Sequence, residues 1–149
     1  MNIGFVVKNL GNSEMAYDLI KEIGDISDKS NRITPYIFFQ DLIPSVMTPY
    51  CMTMNSTGLS SFTGDVVAID IESAMLLHNN ISNTNNWIYF YNLNWLSAVI
   101  NFELCSKMLE NFKIVARSES HKKIIRNFTG RDDIYIAKDM NGLFECLTS

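Results

Sequence analysis

Short apolar runs alternate along this chain with longer stretches in which apolar residues recur every three or four positions. That alternation is the signature of strand-helix repeats on a parallel sheet. The opening run, Ile3 to Val7, is unbroken and β-branched, as expected of a central strand covered on both faces. Gly11-Asn12-Ser13-Glu14 then offers a turn and an N-cap, and Met15, Leu19, Ile23 and Ile26 recur at helical spacing. Thr34 to Phe39 predicts a second strand. The stretch from Asp41 to Gly64, rich in Pro, Ser, Thr and Met, predicts a long loop with one short strand at Tyr50 to Met54. Loops of such length in compact domains are often functional.

The alternation resumes with a strand at Asp65 to Asp70, a helix from Ile71 to Asn79 and a polar turn at Ser82 to Asn86. Trp87 to Tyr91 reads as the next strand. Leu96, Ile100, Leu104 and Met108 form one stripe of a helix running to Asn111, and Val99, Phe102 and Cys105 predict that it is well covered. Lys113 to Arg117 is a further strand. Ser118 caps a helix carrying Ile124, Ile125 and Phe128, which Gly130 ends. A strand at Asp133 to Ala137 and a short helix opened by Asp139 complete the pattern. At 149 residues this is one domain of ordinary size.

Open parallel sheets bind ligands beyond the carboxyl ends of their strands. The candidates are therefore Lys8, Asn9, Asp41, Asp70, Glu72, Asn92, Asn94, Arg117, Ser118, Glu119 and Asp139. Several specific chemistries are missing. The first turn holds Gly11 alone, where a dinucleotide fingerprint needs three glycines. Neither a phosphate-binding P-loop nor a G-x-S-x-G elbow occurs, and His78 and His121 have no partner at metal-ligand spacing. No cofactor is expected.

The net charge of -4 argues against a general nucleic-acid binder, which needs an excess of clustered Lys and Arg. The strongest basic run, Arg117, His121, Lys122, Lys123, Arg126 and Arg131, reads as a solvated helix face. The aromatic series Trp87, Tyr89, Phe90, Tyr91 and Trp95 reads as core. Cys51, Cys105 and Cys146 lack disulfide or zinc spacing and are expected to be buried thiols. The N-terminal apolar run is too short to span a membrane and has no signal-peptide features, so no membrane span and a cytoplasmic location are the expectations.

Three segments resemble the N-terminal, acceptor-side domain of retaining glycosyltransferases of the GT-B architecture. Leu10-Gly11-Asn12-Ser13-Glu14 is similar to the family's glycine-glycine-x-glutamate turn, with one glycine missing. Asp65-Val66-Val67-Ala68 is similar to the strand before its mid-domain helix. The run from Ile114 to Ile125, with Ile134-Tyr135-Ile136 and Asn141-Gly142, resembles the strand, serine-capped helix and asparagine-glycine segment that end that domain. The resemblance implies a single Rossmann-like α/β domain, with a mostly parallel sheet of six or seven strands and helices on both faces. It further implies acceptor-side roles for Gly11, Asn12 and Glu14, with Ser118 and Glu119 near the cleft. A shared crevice would add Ser13, Asp70 and Glu72.

The nucleotide-sugar half of the GT-B architecture is not in this sequence, so the chain is expected to be catalytically incomplete alone. Its expected partners are a sugar or glycan acceptor and a protein partner or second copy. The alternative is a non-catalytic interaction or structural protein, viral proteins included, that uses the same fold as a scaffold.

Overall fold

The computed structural model of the chain describes residues 1–29, 32–80, 85–98 and 101–149. Seven strands form one sheet: β1 (Asn2–Val7), β2 (Thr34–Phe39), β3 (Met52–Asn55), β4 (Asp65–Ala68), β5 (Asn85–Phe90), β6 (Lys113–Ala116) and β7 (Ile134–Ile136). Every neighbouring pair is parallel, in the order β3-β2-β1-β4-β5-β6-β7. The domain is Rossmann-like, as the sequence predicts.

The chain walks outward from β1 through β2 to β3, then returns to lay β4 on the other side of β1. Because parallel crossovers are right-handed, this reversal puts the connecting helices on opposite faces. Helix α1 (Glu14–Lys29) lies on one face with the terminal helix α6 (Met140–Thr148), while α2 (Ile71–Asn79), α4 (Phe102–Leu109) and α5 (Glu119–Thr129) cover the other. A single turn, α3 (Trp95–Ala98), precedes α4. Alternate residues of β1 feed the two cores: Ile3, Phe5 and Val7 meet Leu19, Ile20 and Ile23 of α1, whereas Val6 joins Ala74 and Leu77 of α2. Each such fully buried side chain contributes about 1.5–3 kcal/mol. On the first face, α6 is tied to α1 where the Glu22 carboxylate accepts the Met140 backbone N–H at 2.8 Å.

Several boundaries differ from the sequence pattern. Within the segment from Asp41 to Gly64 the expected short strand is present as β3, shifted to Met52–Asn55, and an unexpected 3-10 helix, Ser56–Ser61, capped by Asn55, follows it. The strand expected to reach Asp70 ends at Ala68, because Asp70 leaves the sheet to cap α2. The strand expected at Trp87 to Tyr91 runs instead from Asn85 to Phe90, and residues 82–84 of the expected turn lie outside the described residues.

The largest correction concerns the long helix predicted from Leu96 to Asn111. Asn101 is extended, with φ -125° and ψ 95°, and its side chain accepts the Leu104 N–H at 3.0 Å, so α4 begins afresh there. Phe102 and Leu104, at the start of α4, are exposed instead of covered. Val99 and Ile100, also assigned to that helix, lie outside the described residues. The three cysteines are free and half-buried, not buried. Trp87, Tyr89 and Phe90 are core, as expected, whereas Tyr91 is only half-buried.

Candidate functional site

The reversal of strand order beside β1 opens the sheet at its carboxyl edge, and α1, α2, α5 and α6 join α4 in starting along that edge with side-chain caps. Ser13 Oγ accepts the Ala16 N–H at 3.1 Å, and Asp70 Oδ1 accepts that of Ser73 at 2.7 Å. Ser118 Oγ accepts from His121 at 3.2 Å, and Asp139 Oδ1 from Gly142 at 2.9 Å. These caps satisfy N–H groups that the helices themselves leave open. Between β1 and α2, the Lys8 ammonium lies 3.2 Å from the Glu72 carboxylate, which raises the lysine's pKa.

A crevice of about 510 Å³ opens at this edge. Ile69, Asp70, Ile71 and Glu72 form one wall, where β4 passes into α2, and Met75 extends it one turn further. Phe90, Tyr91, Asn92 and Asn94 follow β5 along the floor. Asn101, Leu104 and Cys105 of α4 close the far wall, with Met15 of α1 at the near end. The chemistry is an apolar pocket bordered by two carboxylates and three amides, with no Lys or Arg in the lining. Burial raises the pKa of the Cys105 thiol, which keeps it protonated and poorly nucleophilic.

Tyr91 anchors the floor. Its hydroxyl donates to the Asp18 carboxylate of α1, and the Arg117 guanidinium stacks 4.8 Å from the centre of its ring. Arg117 also donates to the Tyr91 carbonyl and the Lys138 carbonyl, each at 3.3 Å. Burial first, and the bond to Asp18 second, push the Tyr91 phenol up to about 12. At neutral pH it is therefore a fixed donor, unsuited to act as a base. The arrangement ties α1, β5 and β6 together beneath the crevice.

Of the residues proposed from sequence, Asp70 and Glu72 line the crevice, while Gly11, Asn12, Ser13, Glu14, Ser118 and Glu119 do not. The Gly11 turn and the Ser118 cap share the carboxyl edge, but β1 and β6 stand three strand spacings apart, roughly 14 Å. The segment after β2 also folds over the Gly11 turn: the Val46 N–H donates to the Leu10 carbonyl at 2.8 Å. A side chain at Gly11 would meet Asn9 Oδ1 at 2.9 Å and Ile43 Cγ2 at 3.2 Å. Gly11 thus packs against its own chain.

Sequence reasoning missed the contributions of Met15, Met75, Asn101, Leu104 and Cys105. The signal for α4 was present in Asn101, a good N-cap residue three positions before Leu104, but the apolar stripe obscured it. The basic run divides on inspection. Arg117 holds carbonyls, Arg126 pairs with Asp132 at 2.7 Å, and Arg131 binds Asp133 together with the Leu109 and Phe112 carbonyls. Among the described residues, no cluster of His, Cys, Asp and Glu could hold a metal ion, and no helix is long and apolar enough to cross a membrane.

Seven parallel strands in this order, with an apolar crevice at the carboxyl edge, define the class as a Rossmann-like domain with a small-molecule-sized cavity. No described protein family, curated protein or solved structure matches the chain.

Proposed function

We propose that the chain is an acceptor-binding domain of the glycosyltransferase kind, incomplete as a catalyst alone, with the crevice beside Asp70 and Tyr91 as the acceptor seat. One observation carries the reading: the crevice offers Asp70, Glu72, Asn92, Asn94 and Asn101 around an apolar floor, with no cation in its lining. Carboxylates and amides bond sugar hydroxyls, and the apolar side chains of Met15, Met75 and Leu104 suit the apolar face of a sugar ring. A diphosphate would face the Asp70 carboxylate and a Glu72 carboxylate paired with Lys8 at 3.2 Å, and is disfavoured. Stabilising a leaving diphosphate takes positioned positive charge, which a separate donor domain would have to supply.

The test is a titration of the chain with methyl β-glucoside and with uridine diphosphate, followed by NMR. Glucoside-dependent shifts at Tyr91 and Asn92, without matching diphosphate shifts, are expected. No turnover of nucleotide-sugars is expected from the chain alone. Turnover lost on Glu14→Ala or Glu119→Ala would overturn the assignment.

A second reading, a binding scaffold without catalysis, is favoured by the β3 edge. Residues 42–64 carry no charged side chain, and Leu42, Tyr50 and Met52 are 87%, 74% and 64% exposed. Edge strands are ordinarily protected by charge, so a bare edge suits pairing with a strand of a second copy or a partner protein. Concentration-dependent dimerisation in sedimentation, abolished by Thr53→Lys, supports this reading. A strict monomer counts against it.

A further inference from the structure

The crevice does not end at α4. A second cavity of about 470 Å³ runs along the seam between α2 and α4 and shares Met75, Leu104 and Cys105 with the first. Both helices begin at the carboxyl edge of the sheet and run back along it, and Met75, Leu104 and Cys105 border both spaces where they adjoin. From Ile71 to Asn79 the seam extends about 12 Å at the helical rise. Its walls change character along that length. Carboxylates and amides cluster at the strand ends, apolar Met75, Leu104 and Met108 line the seam, and Lys107, His78, Asn79 and Asn111 supply the polar part of the second lining.

Met75 and Leu104 are 46% and 61% exposed although they face a concave surface. Methionine is unbranched and polarizable, and it adapts to irregular apolar partners. A polar head site adjoining a second space with Met75, Leu104 and Met108 along its wall matches a ligand with a hydroxyl-bearing head and a flexible hydrocarbon tail. We propose that the ligand of this chain is such an amphipathic glycoside, its head at Asp70 and Asn92 and its tail between α2 and α4. This rests on the acceptor-seat reading for the head and adds the tail.

The experiment titrates the full chain with methyl, hexyl and octyl β-glucoside and with 1-octanol, all below micelle-forming concentrations. Wild type is compared with Leu104→Lys and with the double variant Met75→Asp/Leu104→Lys. Burial of methylenes predicts that affinity rises roughly two- to fourfold for each methylene from hexyl to octyl. Both variants change exposed positions, so circular dichroism should be unchanged while the chain-length dependence collapses.

The arms separate the two ideas. Equal binding of methyl and octyl glucoside leaves the head site standing and overturns the tail. Binding of 1-octanol as tight as that of octyl glucoside keeps the tail and defeats the head assignment. A chain-length dependence that survives both variants places the tail elsewhere and overturns the proposal, as does no binding by any probe. If a variant fails to fold, the wild-type chain-length series decides alone.

Discussion

Replacing Tyr89 by phenylalanine tests how far the sheet's interior controls proton binding. Tyr89 is 1% exposed, and its hydroxyl donates to the Ala137 carbonyl at 3.2 Å, joining β5 to the end of β7. Burial raises its pKa from 10.0 to about 12. Between these values the unfolded chain loses the proton while the folded chain keeps it, so stability falls as pH rises. Below pH 10 the contribution is fully present. At pH 11 the unfolded state has gained about 1.4 kcal/mol of ionisation free energy that the folded state has not.

Tyr89→Phe removes both effects. It should cost about 1 kcal/mol at pH 9 by leaving the Ala137 carbonyl without this donor. It should also remove the 1.4 kcal/mol loss at pH 11, since phenylalanine cannot ionise. Urea denaturation of both proteins from pH 8.5 to 11.5 should therefore give curves that converge and cross near pH 11, on the order of the figures above. Other groups titrate in both proteins and cancel in the comparison. Parallel curves with a constant gap would refute the argument, because they would mean that Tyr89 binds its proton no more tightly folded than unfolded.

Glycine substitutions should separate strain from collision. At Gly64, with φ 145°, a new Cβ would lie 2.4 Å from the Asn2 carbonyl oxygen, so Gly64→Ala should lose roughly 2–4 kcal/mol, read by thermal denaturation. Gly130, with φ 70°, faces open space, and Gly130→Ala should lose only about 1 kcal/mol. Arg131→Met should cost roughly 2–3 kcal/mol by freeing the Leu109 and Phe112 carbonyls, held at 2.7 and 2.8 Å, and hydrogen exchange should rise first at the end of α4. Ser118→Ala should cost about 1 kcal/mol as a lost cap, with glucoside affinity unchanged because Ser118 does not line the crevice.

The sheet was legible in sequence because its interior strands are buried on both faces and therefore read as unbroken apolar runs. Thr34–Phe39 and Ile71–Asn79 match the predicted ends at both boundaries, since Asp70 caps α2 and the polar residues Thr34 and Gln40 mark the two ends of β2. What failed was continuity. Ile100, Leu104 and Met108 fit a helical period, but Asn101 restarts the helix, a choice between two local solutions that spacing alone does not settle. The site was half legible. The strand-end rule picked out Asp70, Glu72, Asn92 and Asn94, but the apolar half of the crevice comes from α1, α2 and α4 through tertiary packing. The Gly11 turn was read as a ligand contact because a glycine after a first strand suits either a ligand or a chain passing overhead. Ile43 and Val46 supply the latter.

The docking of α6 beside α1 has a consequence for how the chain is made. Leu143, Phe144 and Leu147 of α6 complete the core of the first face, to which Trp87, Tyr89 and Val115 also belong, and the Phe144 ring meets that of Phe5 edge-on at 6.0 Å. A ribosome releases the strands before that cover, so this apolar half-face stays wet until the final helix has emerged. Such surface invites wrong partners at cellular concentrations. Ribosome-bound chains halted before residue 140 should recruit hold-type chaperones, whereas chains with α6 outside the exit tunnel should release them.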